Sequence, residues 1–178
     1  MRIVITGTPG TGKSCISREV ARLLKIPLID IKRIASERRL VAKNHEVDVK
    51  RLAAAMRPLV NGKGDYVAEG HLACEIRLPA DFVIVLRASP AVLKKRLARR
   101  NYSKKKLDEN LMAEMLDYCT QRAASVYGKT PLELETSGRS VAACASEIIK
   151  AVRRNKRKLD SVDYSPDLRK HIASGKTR

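Results

Sequence analysis

Apolar residues along this chain fall into two alternating patterns, short continuous runs and longer stretches with helical spacing. Continuous runs are typical of strands buried on both faces, and they predict strands at Ile3–Thr6, Pro27–Ile31, Tyr66–Glu69, Asp81–Leu86 and Leu132–Thr136. Stretches with apolar residues three or four positions apart predict helices at Gly12–Leu24, Val47–Val60, Pro90–Leu97, Ser103–Tyr127 and Val141–Val152. This alternation predicts an α/β fold, a five-stranded parallel sheet with helices on both faces.

Local signals refine these boundaries. Ser89 and Pro90 suit the N-cap and the first position of a helix. Gly128 ends the long helix that begins at Ser103. The polar stretch Lys32–Asn44 is expected to hold only short helices.

The composition changes after Val152. Residues 153–178 contain nine Lys or Arg residues against three Asp, with few apolar residues. Such a segment cannot bury enough apolar surface to fold alone. We therefore predict one domain over residues 1–152 and a basic C-terminal tail over residues 153–178 that is mobile or ordered by a partner.

A P-loop pattern follows the first predicted strand directly. Residues Gly7–Ser14 read Gly-Thr-Pro-Gly-Thr-Gly-Lys-Ser, between a strand and an amphipathic helix. The glycines allow the backbone N–H groups to surround an anion, and the helix N-terminus adds its positive end. In this pattern Lys13 reaches the β- and γ-phosphates and Ser14 ligates Mg²⁺. The alternative is a glycine-rich turn without a ligand, which the flanking strand and helix disfavour.

Two further side chains are candidates at the sheet edge where ligands bind in such folds. The third predicted strand ends in Glu69, a carboxylate suited to the Mg²⁺ shell of a P-loop. His71 follows two residues later and could orient water or contact a phosphate. The alternatives are a solvated glutamate at a strand end and a structural histidine.

A dense basic cluster separates the helix after the fourth strand from the next one, with eight Lys or Arg residues between Lys94 and Lys106. It suits a lid that places positive charge on a migrating phosphoryl group. It equally suits a solvated helix face. Cys15 follows the P-loop at a helix N-terminus, which favours the thiolate, although a small residue with a useful backbone N–H is the simpler interpretation.

Composition and charge limit the function classes. The 178 residues are 44% hydrophobic, and no apolar run reaches the roughly 18 residues of a membrane span. The P-loop strand begins at once, so no signal peptide is expected. Four cysteines without paired spacing favour packing roles in a reducing cytoplasm. The net charge of +18 favours a polyanionic partner, nucleic acid first; a generally basic proteome is the alternative.

Together these motifs resemble the nucleoside monophosphate kinases, and in detail the CINAP-type adenylate kinases (adenylate kinase isoenzyme 6), archaeal branch. The resemblance covers about residues 1–152. The segments that carry it are Ile5–Ser14, Val67–His71, Val83–Arg87, Arg96–Tyr102, Lys106–Asn110 and Thr136–Ser140. The P-loop is shared with many families, whereas Glu-Gly-His at a strand end together with a short Arg-x-Tyr lid is more specific.

The resemblance implies roles for individual residues. ATP phosphates would be held by Gly10, Thr11, Gly12, Lys13, Ser14 and Cys15, with Mg²⁺ at Ser14 and, through water, at Glu69. Residues 30–52 would receive AMP, with a basic set of Lys32, Arg33, Arg38, Arg39 and Lys43. Residues 99–109 would form the lid, in which Arg100 contacts ATP. In members of the family an Asp-x-His motif is tied to ATP hydrolysis. Glu69 and His71 stand at the positions of that motif, but Glu69 has Glu where the motif has Asp.

The resemblance implies an adenylate kinase that transfers the γ-phosphoryl group of Mg·ATP to AMP and also hydrolyses ATP. It further implies a role in maturing the small ribosomal subunit, with a ribosomal protein or rRNA as partner and no membrane. The competing class is a nucleotide-switched assembly factor whose kinase activity is vestigial. Turnover of ATP with and without AMP separates the two.

Overall fold

The computed structural model describes residues 1–42, 46–62, 64–100 and 102–174. Its strands are β1 (Arg2–Thr6), β2 (Leu28–Asp30), β3 (Tyr66–Glu69), β4 (Phe82–Arg87) and β5 (Leu132–Glu135). Its helices are α1 (Lys13–Leu24), α2 (Ile31–Glu37), α3 (Val49–Val60), α4 (Pro90–Ala98), α5 (Lys104–Met115), α6 (Tyr118–Tyr127), α7 (Val141–Arg153) and α8 (Ser165–Ala173), with a 3₁₀ helix at His71–Cys74.

The five strands form one parallel sheet in the order β2-β3-β1-β4-β5. The predicted α/β fold is therefore confirmed. β1 lies at the centre, and the chain continues first to one side of it and later to the other. Parallel sheets place their ligand sites at the carboxyl ends of the strands where this reversal occurs. The loop that follows β1 lies at that point.

Each face of the sheet is covered by its own apolar cluster. On one face Val4, Ala68 and Val83 pack against α2, α3, α6 and the 3₁₀ helix. On the other face Ile5 and Leu134 pack against α1 and α7. Side chains of successive residues in a strand point to opposite faces of the sheet. Because helices cover both faces, the side chains on both must be apolar. This explains why the strands read as continuous apolar runs.

The predicted single helix from Ser103 to Tyr127 is wrong. The structure breaks it between α5 and α6, where Asp117 has a left-handed φ of 53°. The Asp117 carboxylate accepts from one terminal nitrogen of the Arg87 guanidinium, and the same nitrogen donates to the Glu114 carbonyl at 2.9 Å. The buried cation competes with the helix for this carbonyl and requires the turn that brings Asp117 to it.

The expectation that the tail is mobile or ordered by a partner is also wrong for residues 159–174. The backbone N–H of Asp160 donates to the Glu133 carbonyl at 3.0 Å, and its carboxylate accepts from the Glu135 N–H at 2.9 Å. Tyr164 is buried, and its hydroxyl donates to Glu135 at 3.0 Å. These docked residues precede α8. A few specific hydrogen bonds and one aromatic ring therefore attach a segment whose composition suggested disorder.

Tyr164 also completes a third apolar cluster. Its ring packs with Leu93 and Leu97 of α4 and with Leu111 and Met115 of α5. The ring lies 5.2 Å from the Arg87 guanidinium carbon, within the range of a cation–π contact. The C-terminal segment is therefore attached to α4, which precedes the predicted lid, and to α5, whose first half lies within it.

Shortening the chain to end at Lys158 should lower stability. The variant loses the hydrogen bonds of Asp160 and the buried ring of Tyr164, together about 2 kcal/mol or more. For a domain of this size that corresponds to a melting temperature roughly 4–8 °C lower by calorimetry. Ending the chain at Ser174 is the matched control and should leave the melting temperature unchanged. Equal melting temperatures for both variants would contradict the docking of residues 160–168.

Candidate active site

The loop between β1 and α1 has the geometry of an anion cradle. Gly7, Gly10 and Gly12 all have positive φ, and α1 begins at Lys13 directly behind them. A Cβ on Gly10 would lie 2.7 Å from a methyl carbon of Leu93, so the loop packs closely on α4. The Thr8 carbonyl accepts from the backbone and hydroxyl of Thr11 at 3.2 and 2.9 Å. The loop is thereby fixed from within.

Lys13 is buried inside this loop. Its ammonium donates to the carbonyls of Gly7 at 2.8 Å and Thr8 at 3.0 Å. Burial lowers the pKa of Lys13, and the nearby Cys119 and Glu69 partly oppose that shift. A buried cation is stabilised more strongly by an anion than by two neutral carbonyls. Lys13 is therefore positioned to turn toward phosphate oxygens in the cradle.

Glu69 lies at the carboxyl end of β3, buried, next to the start of α1. Burial raises the pKa of its carboxyl, a hydrogen bond from Ser14 counteracts the rise, and the negative charge of Asp30 adds to it. Asp30 is paired with Glu69 in the parallel register of β2 and β3. The Asp30 side chain accepts from the Arg33 N–H at 3.0 Å and caps α2.

The side chains at this edge fit Mg²⁺. Magnesium takes one or two carboxylates together with phosphate oxygens and water, and the Glu69 carboxylate lies against the exposed Ser14 hydroxyl at the mouth of the cradle. Glu69 and Ser14 would hold the ion, which would neutralise charge on the phosphates when bound. Asp30 is a second carboxylate that the motif did not indicate, because it becomes a neighbour of Glu69 only through the strand order.

His71 begins the 3₁₀ helix after β3, and its side chain is exposed. Desolvation by surrounding protein atoms lowers its pKa to about 4, and the charges of Lys13, Lys32 and Lys106 act in the same direction. The imidazole is therefore neutral at neutral pH. Lys106, in the part of α5 that belongs to the predicted lid, is thus near enough for its charge to act on His71.

Arg96 and Thr136 brace the loop from the side of α4. The Arg96 guanidinium donates to the Gly10 carbonyl at 3.2 Å and to the Thr136 carbonyl at 3.3 Å. The Thr136 hydroxyl donates to the Thr11 carbonyl at 3.0 Å. The sequence places Arg96 in the basic cluster and Thr136 at the end of the fifth predicted strand. The sequence carries no signal for this brace because it joins three separate segments.

The predicted lid and AMP-receiving segments are placed only in part. Arg100 follows α4, is exposed, and makes no side-chain hydrogen bond to the described part of the chain. Its contact with ATP stays a prediction, as does that of Cys15, which is exposed on the first turn of α1. Lys43 of the AMP-receiving set and Asn101 of the lid lie outside the described residues.

A cavity of about 260 Å³ lies between α2 and α3, away from the P-loop. It is lined by Leu28 and Tyr66, at the beginnings of β2 and β3, and by Arg33 and Arg38. The phosphate cradle lies at the opposite ends of these strands. The cavity is therefore a separate feature, and we do not assign it to the AMP site.

Replacing Glu69 with Gln should weaken the use of Mg²⁺. Loss of a carboxylate that acts on the metal through water costs about 10–100-fold in metal affinity or activity. We expect ADP formation at limiting Mg²⁺ to fall by that factor, with binding of a fluorescent ATP analogue retained. Glu19→Gln removes a carboxylate that pairs with Arg22 on the outer face of α1 and is the matched control. An unchanged Mg²⁺ titration in Glu69→Gln would remove Glu69 from the metal site.

Comparison with known proteins agrees with this geometry. The family described as "AAA domain" matches residues 3–117. A protein named "Putative adenylate kinase" from Methanocaldococcus jannaschii is 34% identical over 172 residues, which cover 93% of each chain. A protein of the same name from Thermococcus onnurineus is 35% identical over 176 residues, covering 97% of this chain and 96% of the relative.

The crystallised shikimate kinase from Acinetobacter baumannii, in complex with shikimate, shares the fold. It superposes with a TM-score of 0.67 at 18% identity, covering 87% of this chain and 94% of that one. At this identity the likeness shows the fold alone. In the described ranges no helix combines the length and the apolarity that crossing a membrane requires. The motif, the fold and the full-length relatives agree: this chain belongs to the AAA domain family and, within it, to the nucleotide-binding P-loop kinases represented by these archaeal proteins.

Proposed function

We propose that this protein transfers the γ-phosphoryl group of Mg·ATP to AMP. The single observation that carries the proposal is the buried Lys13 ammonium, held by loop carbonyls beside Glu69 and Ser14 at the carboxyl end of the sheet. The names of its relatives support AMP as the acceptor. Lys32 on α2 lies near enough for its charge to act on His71, and it can supply positive charge for the acceptor phosphate. Arg39 is a further candidate, whereas Arg33 and Arg38 line the separate cavity.

Catalysis by these residues is positioning and charge stabilisation. Loop N–H groups and Lys13 hold the phosphates of the donor, and Arg96 keeps the Gly10 carbonyl turned away from them. Closure of residues 99–109 would exclude water and bring Arg100 to the migrating phosphoryl group. No side chain of the site needs to form a covalent intermediate.

A panel of nucleoside monophosphates assayed with ATP tests the proposal. AMP should give the largest kcat/KM for ADP production, measured against an ATP-only control. The basic set after β2 provides a matched pair of tests: Lys32→Ala should raise KM for the acceptor more than KM for ATP if Lys32 meets its phosphate, whereas Arg38→Ala, in the separate cavity, should change neither. If no monophosphate accelerates ATP consumption above the ATP-only rate, the kinase proposal fails and the switched binding module is favoured.

The same site supports slow ATP hydrolysis. His71 is neutral at neutral pH, and its exposed imidazole can accept a hydrogen bond from water near the cradle. Because its lowered pKa of about 4 lies far below the ordinary value, the part of the hydrolysis rate lost in His71→Ala should be constant between about pH 6 and 8. A loss of that part with a midpoint near pH 6.5 would contradict this role.

We further propose a partner in the maturing small ribosomal subunit, rRNA or a ribosomal protein, and with it a cytoplasmic location. The observation that favours this second function is the net charge of +18. Exposed basic residues occur on α4, α5 and the C-terminal segment, among them Lys94, Lys105, Arg157 and Arg169. Contacts of this kind release counterions from RNA.

Binding to small-subunit rRNA should therefore weaken steeply with salt. The slope of log affinity against log salt should shrink in a variant with Arg153, Arg154, Lys156, Arg157 and Lys158 replaced by Gln, since each lost phosphate contact reduces it by about 0.7–0.9. These residues are exposed or lie before the docked segment, so AMP kinase turnover should persist. Salt-independent binding, or none, would oppose the rRNA partner without affecting the kinase proposal.

A further inference from the structure

Two buried cysteines lie side by side beneath the phosphate cradle. Cys74 is the last residue of the 3₁₀ helix, and Cys119 lies in the first turn of α6. These two elements pack against each other, and both residues belong to the same apolar cluster. Each thiol shifts the pKa of the other, so the two side chains are neighbours. Two residues 45 positions apart in the chain are thus juxtaposed with no role in the mechanism above.

Each thiol also contacts the active site. The sulfur of Cys119 lies 3.9 Å from the hydroxyl oxygen of Thr8, whose carbonyl holds the Lys13 ammonium. The sulfur of Cys74 lies 3.1 Å from the His71 carbonyl oxygen, which also accepts from the Thr6 hydroxyl. The pair therefore joins the floor of the P-loop to the segment that carries His71.

The two thiols differ in acidity. The neighbouring Cys74 thiol and the positive charge of Lys13 hold the pKa of Cys119 below its usual value, against the effect of burial. The pKa of Cys74 is raised by the neighbouring Cys119 and by burial. The thiolate is the form that reacts with oxidants. Cys119 is thus the residue prepared to react, and Cys74 is the adjacent partner.

We propose that Cys74 and Cys119 form a reversible disulfide when the protein meets hydrogen peroxide, and that this modification lowers its affinity for nucleotide. The Cys119 thiolate attacks one peroxide oxygen, the O–O bond breaks, and the departing hydroxide takes a proton to become water. The sulfur of Cys74 then attacks the resulting sulfenic acid. The S–S bond forms, the S–O bond breaks, and the second hydroxide leaves as water with the Cys74 proton. Two thiols lose two electrons, and one peroxide becomes two waters.

A disulfide brings its sulfurs to about 2.05 Å, closer than two sulfurs that are not bonded to each other. The 3₁₀ helix and α6 must therefore approach each other. Thr8 contacts the sulfur of Cys119 and His71 contacts the sulfur of Cys74, so both would be displaced. The Thr8 carbonyl is one of the two that position Lys13. If oxidation weakens nucleotide binding by some factor, bound nucleotide must oppose oxidation by the same factor.

The test uses the full chain treated with hydrogen peroxide and digested without reduction. Mass spectrometry should find the peptides of Cys74 and Cys119 linked. Affinity for a fluorescent ATP analogue should fall by about tenfold, within the range of coupling between sites, and dithiothreitol should restore it. Prior saturation with ATP should slow the linkage. Peroxide that oxidises the exposed Cys15 without producing the Cys74–Cys119 link would overturn the proposal.

Variants separate this pair from the other cysteines. Cys119→Ala and Cys74→Ala should keep their own nucleotide affinity after peroxide treatment, and Cys119→Ser provides a second replacement if the buried alanine lowers stability. Cys144→Ala alters a buried cysteine on the opposite face of the sheet and should lose affinity as the wild type does. If peroxide still lowered the nucleotide affinity of Cys119→Ala, the proposal would be contradicted. It rests on nucleotide binding alone, so the identity of the phosphoryl acceptor does not affect the outcome.

Discussion

Lys13→Ala should reduce phosphoryl transfer by about 10²–10³-fold or more, because removing one group that stabilises developing charge costs that much in other enzymes. Lys13 is the buried cation of the cradle, held at 2.8 and 3.0 Å by two carbonyls that release it to an incoming phosphate. Initial rates of ADP formation from ATP and AMP measure the effect. ATP consumption without AMP should fall with it.

Two companion variants make this result specific. Lys13→Met keeps most of the length of the buried side chain and should be as inactive as Lys13→Ala, which separates loss of charge from loss of packing. Lys150→Ala removes an exposed lysine of α7 and should retain full turnover. Circular dichroism would establish that the Lys13 variants are folded. Turnover above about a tenth of the wild-type rate in either of them would mean that Gly7–Ser14 is not the phosphate site.

Arg87→Met should lower the free energy of unfolding by about 3–5 kcal/mol, the cost of leaving a buried charge without its partner. The guanidinium donates to the Glu114 carboxylate at 3.0 Å, and the side chains of both residues are only 1% exposed. It also contacts Asp117 and Glu133. Burial alone would lower the pKa of Arg87, but these carboxylates, Glu114 first, raise it instead.

Urea denaturation would measure the loss. Arg22→Met is the matched control, since Arg22 pairs with Glu19 on the exposed face of α1 and such surface pairs contribute about 0–1 kcal/mol. Adding Glu114→Gln to Arg87→Met should recover part of the stability, because the uncompensated buried carboxylate is removed. If the Arg87 and Arg22 variants lost equal stability, the buried network around Arg87 would not support the fold as we describe.

The parts of the molecule that sequence predicted well are those encoded by neighbours in the chain. The strands and most helices follow from local apolar spacing, and the P-loop from eight consecutive residues, Gly7–Ser14. Glu69 and His71 were identified because their strand end could be located. Their catalytic roles stay predictions, but their position at the sheet edge required only the order of strands and helices.

The parts that could not be predicted depend on partners distant in sequence. Neither Leu116 nor Asp117 is a helix breaker. The turn forms there because it brings Asp117 to the buried Arg87, about 30 residues earlier in the chain. The docking of Tyr164 depends on Glu135 and on a cluster that exists only when α4 and α5 meet. Asp30 was overlooked as a second carboxylate because its pairing with Glu69 is a matter of strand register.

The hydrogen bonds of Asp160 have a consequence for assembly. β5 is the last strand of the sheet, and the free side of such a strand can recruit a strand from another molecule. Asp160 occupies part of that side, donating its N–H to the Glu133 carbonyl and accepting from the Glu135 N–H. The C-terminal segment thus blocks edge-to-edge aggregation of the sheet. The sheet gains this protection from one aspartate placed against one strand.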